Sequence, residues 1–291
     1  MEIGLLFANS GPFSTPERLG HLAQTAERCG IESIWTVEHV VIPQDYKSTY
    51  PYSPSGRIPG GDEVPIPDPL LPLAYAAALT TRLRLATGIV ILPLRHPLYV
   101  AKELATLDVL SHGRMIFGVG SGWLREEFES LGLDFDSRGA RTDEAIEAIR
   151  VLWRESSSRF AGKHFNFGPV KSFPKPVHKG GVPIHIGGHS KAAARRAARL
   201  GDGFFPMEPE PQPWVNRPCS TQAGPLARCG HPAPVPHPCK AAISHENSRS
   251  APPTAAAWHA LTGNARELPQ WQSPSPPTGD RRPAWPELPQ D

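Results

Sequence analysis

Residues 83–123, LRLATGIVILPLRHPLYVAKELATLDVLSHGRMIFGVGSGW, decide the fold. Arg84 to Leu92 is nearly continuous apolar and β-branched sequence, the pattern of a parallel strand covered on both faces. Leu98 to Leu110 has helical spacing instead. Val100, Leu104 and Leu107 share one stripe, Lys102, Glu103 and Asp108 fall mainly off it, and Pro97 suits a first helical turn. Met115 to Val119 is a second apolar run, ending in Gly118-Val119-Gly120-Ser121-Gly122. Strand, helix and strand make a βαβ unit with a backbone-rich pocket at its carboxyl ends.

The same alternation extends both ways. Upstream, Met1 to Ala8 reads as a strand. Ser14-Thr15-Pro16-Glu17 has the spacing of a capping box before a helix whose buried stripe is Leu19, Leu22, Ala23 and Ala26, with Gly30 as its stop. Ser33 to Val37 is a second strand, followed at once by Glu38-His39. From Pro43 to Pro69 runs a loop with seven prolines and three tyrosines, Tyr46, Tyr50 and Tyr52. Its length and aromatic content favour a lid over a solvated linker, and a short helix near Pro72 to Thr80 follows it.

Downstream, Leu124 to Leu131 and Arg141 to Trp153 read as helices, and Phe160 to Val177 as a small hairpin excursion. Val182 to Ile186 is a strand, Gly187-Gly188-His189-Ser190 a turn, Lys191 to Leu200 a helix stopped by Gly201, and Gly203 to Pro206 a strand. Six strands alternating with helices argue for a parallel sheet, two βα units short of a closed barrel. After Met207 the composition changes: 18 of the 35 prolines and four of the seven tryptophans lie in the last 84 residues, without Phe or Tyr. No window there has a period of two or 3.6 with enough apolar residues to bury, so 208–291 reads as a disordered tail after a domain spanning 1–207.

Bulk properties exclude several function classes. A net charge of +2, with Arg195-Arg196 and Arg281-Arg282 the only adjacent basic pairs, leaves no footprint for nucleic acid. No basic residue precedes Arg18, and no apolar run reaches the roughly 18 residues of a membrane span, so a soluble, cytoplasmic protein is expected. Only Cys29 lies in the first two thirds, as suits a reducing compartment. Cys219, Cys229, His231, His237 and Cys239 lack the spacing of a zinc site, so no metal is expected.

Three segments, YPYSPSGRIPG (50–60), LPLRHPLYVAKELATLDVLSHGRMIFGVGSGWLREEF (92–128) and PIHIGGHSKAAARRAARLGDGF (183–204), occur in order with the Glu38-His39 turn. On these the chain resembles the bacterial luciferase-like monooxygenase superfamily, and within it the actinobacterial oxidoreductases that use the deazaflavin coenzyme F420. The resemblance implies a (β/α)8 TIM-type barrel with the cofactor across its carboxyl end, here incomplete at about six of eight βα units; alternation alone does not separate that barrel from a doubly wound sheet. Relatives continue past GDGF with two further βα units. The tail in their place is read as a frameshifted translation of a GC-rich gene, which a barrel-like continuation in another frame would support.

The resemblance also assigns roles. His39 is the first catalytic candidate and Glu38 the second; the imidazole would take or give a proton as hydride moves between the cofactor and a small organic substrate. Taken alone, a His after a strand is an ordinary loop residue. Gly88-Ile89 is implied to be a non-prolyl cis peptide behind the flavin ring, where the residues alone suggest a bulge. Gly120, Ser121, Gly122 and Trp123 would line the cofactor; as a dinucleotide fingerprint the stretch fails, since Trp123 takes the place of the third glycine. Gly187, Gly188, His189 and Ser190 would face a phosphate at a helix N-terminus, or simply cap the helix through Ser190. Arg195 and Arg196 read as solvated helix-face charges. FMN is the alternative cofactor, an FMN-dependent monooxygenase or a non-catalytic remnant the alternative function. The partners expected are a small-molecule substrate and, at most, a second copy in a homodimer.

Overall fold

The computed structural model describes residues 3–206, so the Cys/His set of the tail and the 208–291 segment lie outside the described residues. In chain order the elements are β1 (Gly4–Leu6), α1 (Pro16–Arg28), β2 (Ser33–Thr36), α2 (Leu70–Leu79), β3 (Arg84–Thr87), β4 (Val90–Ile91), α3 (Pro97–Leu110), β5 (Met115–Gly120), α4 (Arg125–Ser130), α5 (Arg138–Arg154), the hairpin β6 (Ser158–Ala161) and β7 (Asn166–Val170), β8 (Ile184–Gly187), α6 (Lys191–Leu200) and β9 (Gly203–Phe205). No helix among the described residues is long and apolar enough to cross a membrane.

Strand order settles the architecture. The sheet runs β1-β2-β3-β5-β8-β9, all parallel, with β4 as a short second pairing on β5. Neighbours in the sheet are neighbours in the chain once the hairpin is set aside, so the order never reverses as it does in a doubly wound sheet. Helices α1, α2, α3, α5 and α6 pack each against the next around the outside. The result, among the described residues, is a curled half-barrel of five βα units and a sixth strand, consistent with the incomplete barrel expected from the sequence.

The layer between helices and sheet is the core. Ile34, Leu85, Met115, Phe117 and Ile184 from the strands meet Leu73, Val100, Leu104, Ile146 and Ile149 from the helices, and all are buried. The inner face is crowded instead by backbone. A Cβ on Gly118 would lie 1.7 Å from the Thr87 carbonyl oxygen, so only glycine lets β5 approach β3 there. Across the interior, Trp35 stacks on Phe205 at 4.9 Å and 7°.

Several local expectations change. The run 84–92 is not one strand: β3 ends at Thr87, the Gly88–Ile89 peptide is cis, and β4 resumes for two residues before a 3-10 turn at Leu92–Leu94. The N-cap of α1 is Thr15 rather than Ser14 and no side chain caps the helix; Ser14 Oγ instead donates to the Gly11 carbonyl in the preceding 3-10 turn. Asp108, read as lying off the buried stripe, is fully buried and accepts the amides of Val177 (2.8 Å) and His178 (3.3 Å). The 43–69 loop has no helix or strand, yet it is anchored by its own small core of Tyr46, Ile58 and Leu124, with Tyr50, Val64 and Trp123 packed on it.

Candidate functional site

At the carboxyl ends of the strands lies a cavity of about 770 Å³, in the range of sites for cofactor-sized ligands. Every residue given a catalytic or cofactor-binding role in the sequence lines it: Glu38 and His39 after β2, Gly88 and Ile89 after β3, Gly120 to Trp123 at the end of β5, and Gly187 to Ser190 leading into α6. The lid closes one side, placing Tyr50 edge-on to Trp123 at 5.2 Å and Tyr52 edge-on to His189 at 5.3 Å. Burial raises the hydroxyls of Tyr50 and Tyr52 above their ordinary pKa.

His39 is held from two sides. Its Nδ1 is 2.9 Å from Glu127 Oε2, and its ring meets Trp123 edge-on at 5.7 Å and 81°. Glu127 comes from α4, 88 residues away in sequence. Its other oxygen accepts the amides of Val40 (2.6 Å) and Val41 (3.3 Å), so one carboxylate fixes the whole turn behind β2. The neighbouring Glu126 does the same for the near end of the lid, accepting the Lys47 and Ser48 amides and the Ser48 hydroxyl.

Glu38, the second catalytic candidate, is occupied. Arg95 Nε donates to its Oε1 at 2.6 Å and the Ile91 amide to its Oε2 at 2.5 Å. Burial pushes its carboxyl above the usual range, opposed by the Arg95 charge and the Ile91 hydrogen bond. Arg95 also reaches Asp68 at the base of α2. Burial works against the guanidinium, but the carboxylates of Glu38 and Asp68 raise its pKa above the ordinary value. Through Arg95, Glu38 thus ties the end of β2 to the base of the lid.

One wall is a shelf made by Ile89. Its side chain sits between two strand ends: a Cβ on Gly120 would lie 2.8 Å from Ile89 Cδ1, and one on Gly187 2.5 Å from Ile89 Cγ2. These glycines are therefore required by Ile89 itself. Gly122 (φ +78°) and Gly188 (φ +120°) are required by backbone conformation. At the other end, Ser121 Oγ accepts from Thr142 Oγ1 at 3.3 Å, and Ser190 caps α6 by accepting from the Ala193 amide at 3.1 Å.

Two cations missed in the sequence complete that end. Arg196 is not solvated: it pairs with Asp143 and donates to the Gly139 carbonyl, while Arg195 is exposed as expected. Arg138 lies over the Phe135 ring, 3.7 Å from its centroid, at the start of α5. Glu127 was missed too. It sits in the REEF sequence that closes the second matching segment, but nothing local pairs it with a histidine 88 positions earlier.

A family model described as Luciferase-like monooxygenase matches residues 2–243. An uncharacterised protein of Mycobacterium tuberculosis is 37% identical over 184 residues, which is 63% of this chain and 63% of that protein. The F420-dependent glucose-6-phosphate dehydrogenase of Kineococcus radiotolerans is 30% identical over 194 residues, 65% of this chain and 52% of that one. The FMNH2-dependent dimethylsulfone monooxygenase of Pseudomonas fluorescens is 37% identical over 131 residues, 44% and 35% of the two chains. Among solved structures, the monooxygenase RslO1 from Streptomyces bottropensis aligns with a TM-score of 0.57 at 34% identity, covering 70% of this chain and 59% of that one. The chain spans 63% of the length of the mycobacterial relative and about half that of the dehydrogenase.

Proposed function

The chain belongs to the luciferase-like monooxygenase family, and from that premise we propose that it is an oxidoreductase that moves hydride between coenzyme F420 and a small organic substrate. The observation that carries this reading is the His39–Glu127 pair opening on a cavity at the carboxyl ends of parallel strands. Relatives dependent on F420 and on FMNH2 both exist. The F420-dependent relative matches over more of the chain, 65% against 44%, which favours the deazaflavin.

The residues fit such a group. Ile89, seated between Gly120 and Gly187, offers a smooth apolar wall for a planar ring system, with no side chain from either strand end standing over it. Ser121 offers a hydroxyl beside that wall. The start of α6, with Arg138 and Arg196 nearby, offers amides and positive charge for a phosphate-bearing tail. When bound, coenzyme F420 supplies a two-electron hydride acceptor or donor.

The protein's own part is to orient the substrate and manage its proton. Hydride can leave a carbinol carbon only as the hydroxyl proton departs, and that proton goes to His39; in the reverse direction His39 returns it to the forming alcohol. Tyr50, Tyr52 and Trp123 cover the reacting region and limit water entry.

Absorbance of the purified protein tests the cofactor: a bound chromophore near about 420 nm supports coenzyme F420, one near about 450 nm supports FMN, and none removes the reading. His39→Ala tests the chemistry. It should keep the chromophore and lower turnover by on the order of 10² to 10⁴.

A further inference from the structure

We propose that Glu127 is a positioning residue that sets the tautomer of His39, keeping the proton on Nδ1 and turning the Nε2 lone pair into the cavity. The inference rests on His39 as the proton-transfer group, and it adds what decides whether that imidazole can act as a base.

The argument is one of donors and acceptors. A carboxylate only accepts. Glu127 Oε1 is committed to two backbone donors, the Val40 and Val41 amides, and Oε2 faces His39 Nδ1 at 2.9 Å. The Glu127 side chain is 1% exposed, so water does not compete for these positions. Nδ1 must then be the donor, and in the neutral ring Nε2 is the acceptor. Nε2 has no hydrogen-bond partner among the described residues, and it is not among the buried unpartnered atoms, so it is open to the cavity that His39 lines. Trp123 packs edge-on against the ring.

The nearby charges do not share this task. Glu126 is directed to Lys47 and Ser48, and Arg125 to Asp136. Glu38 is held by Arg95. Glu127 is the carboxylate in contact with the imidazole among the described residues.

Glu127→Gln separates holding the turn from setting the tautomer. The Val40 and Val41 amides still require an acceptor, so the Gln carbonyl oxygen takes them and its NH2 is left facing Nδ1. The turn keeps its anchor while Nδ1 becomes an acceptor and the proton moves to Nε2. Long-range proton–nitrogen NMR of the full chain, with the His39 signals assigned by their loss in His39→Gln, reads the tautomer directly. The expected result is Nδ1–H in the wild type and Nε2–H in Glu127→Gln, with thermal unfolding little changed and turnover reduced about 10²-fold or more at an unchanged KM for the cofactor. A wild-type ring protonated on Nε2, or a Gln variant that keeps Nδ1–H, overturns the proposal. If the Gln variant does not fold, the wild-type spectrum alone decides. A tautomer that switches with no change in turnover leaves this inference standing and removes His39 from the chemistry instead.

Discussion

Gly187→Ala is the most direct test of how the shelf is built. The new Cβ would lie 2.5 Å from Ile89 Cγ2 and 3.5 Å from the Val119 carbonyl oxygen, so Ile89 must give way. It has little freedom to do so. On its other side it packs over Gly120, where a Cβ would lie 2.8 Å from Cδ1 and 3.0 Å from Cγ1, and a β-branched side chain has few χ1 choices. Overpacking of this kind costs about 1–3 kcal/mol, of which the stiffer unfolded chain returns about 0.4–1. The net loss is up to about 2.6 kcal/mol, or up to roughly 10 °C in melting temperature for a unit of this size. Circular dichroism melts of the full chain measure it. Combining Gly187→Ala with Ile89→Ala removes the offending methyl, so the second substitution should cancel most of the first, a coupling on the order of 1 kcal/mol. If the two losses simply add to within about 0.5 kcal/mol, Ile89 is not the reason for the glycine. Close backbone approach to a ligand would then be the explanation.

Other consequences are expected. Gly118→Ala sets a Cβ against the Thr87 backbone 1.7 Å away, where trimming a side chain offers no relief, and should cost more than about 4 kcal/mol; recovery of soluble protein with an unchanged melt would refute it. Arg95→Met leaves the 1%-exposed Glu38 side chain without its cation and should destabilise the chain by about 3–5 kcal/mol in urea unfolding, with part of the loss restored by adding Glu38→Gln. Glu126 predicts an acid response. Burial opposes ionisation, but the Ser48 hydroxyl and the Lys47 and Ser48 amides lower its pKa from 4.5 to about 2. A carboxyl depressed in the folded state contributes fully above its unfolded pKa and loses that contribution as pH falls through the folded value. The Lys47–Ser48 attachment should therefore persist through pH 4.5 and release near pH 2; a Glu126 carboxyl carbon shift titrating near 4.5 by NMR would contradict this.

What the sequence revealed is what depends on local pattern. Apolar runs located six parallel strands, helical spacing located the helices to within a few residues, and Gly30 stops α1 through a left-handed φ of 74°. Lys191 and Leu200 bound α6 as read, because Ser190 and Gly201 punctuate it locally. Strand order was not legible in this way. Alternation is common to both barrel and doubly wound sheet, and only the pairing β3-β5-β8-β9 separates them. The resemblance supplied the barrel and the cis peptide, which no hydropathy pattern records.

The acidic residues escaped local reading for a different reason, and they show how the two ends of the half-barrel are organised. Hydropathy treats Asp and Glu as solvent-facing, yet a carboxylate that accepts backbone amides carries its desolvation well, and those amides come from distant segments. At the amino ends of the strands, Glu27 from α1 accepts the amides of Thr81, Arg82 and Leu83 before β3. Asp108 from α3 there accepts those of Val177 and His178, ahead of β8. At the carboxyl ends, Glu38, Glu126 and Glu127 hold the segments that face the cavity. The same chemistry therefore serves stability at one end and geometry at the other. The difference lies in what the second oxygen touches: Glu127 alone among these has a histidine that opens on the cavity, and that contact turns a loop anchor into a determinant of proton position.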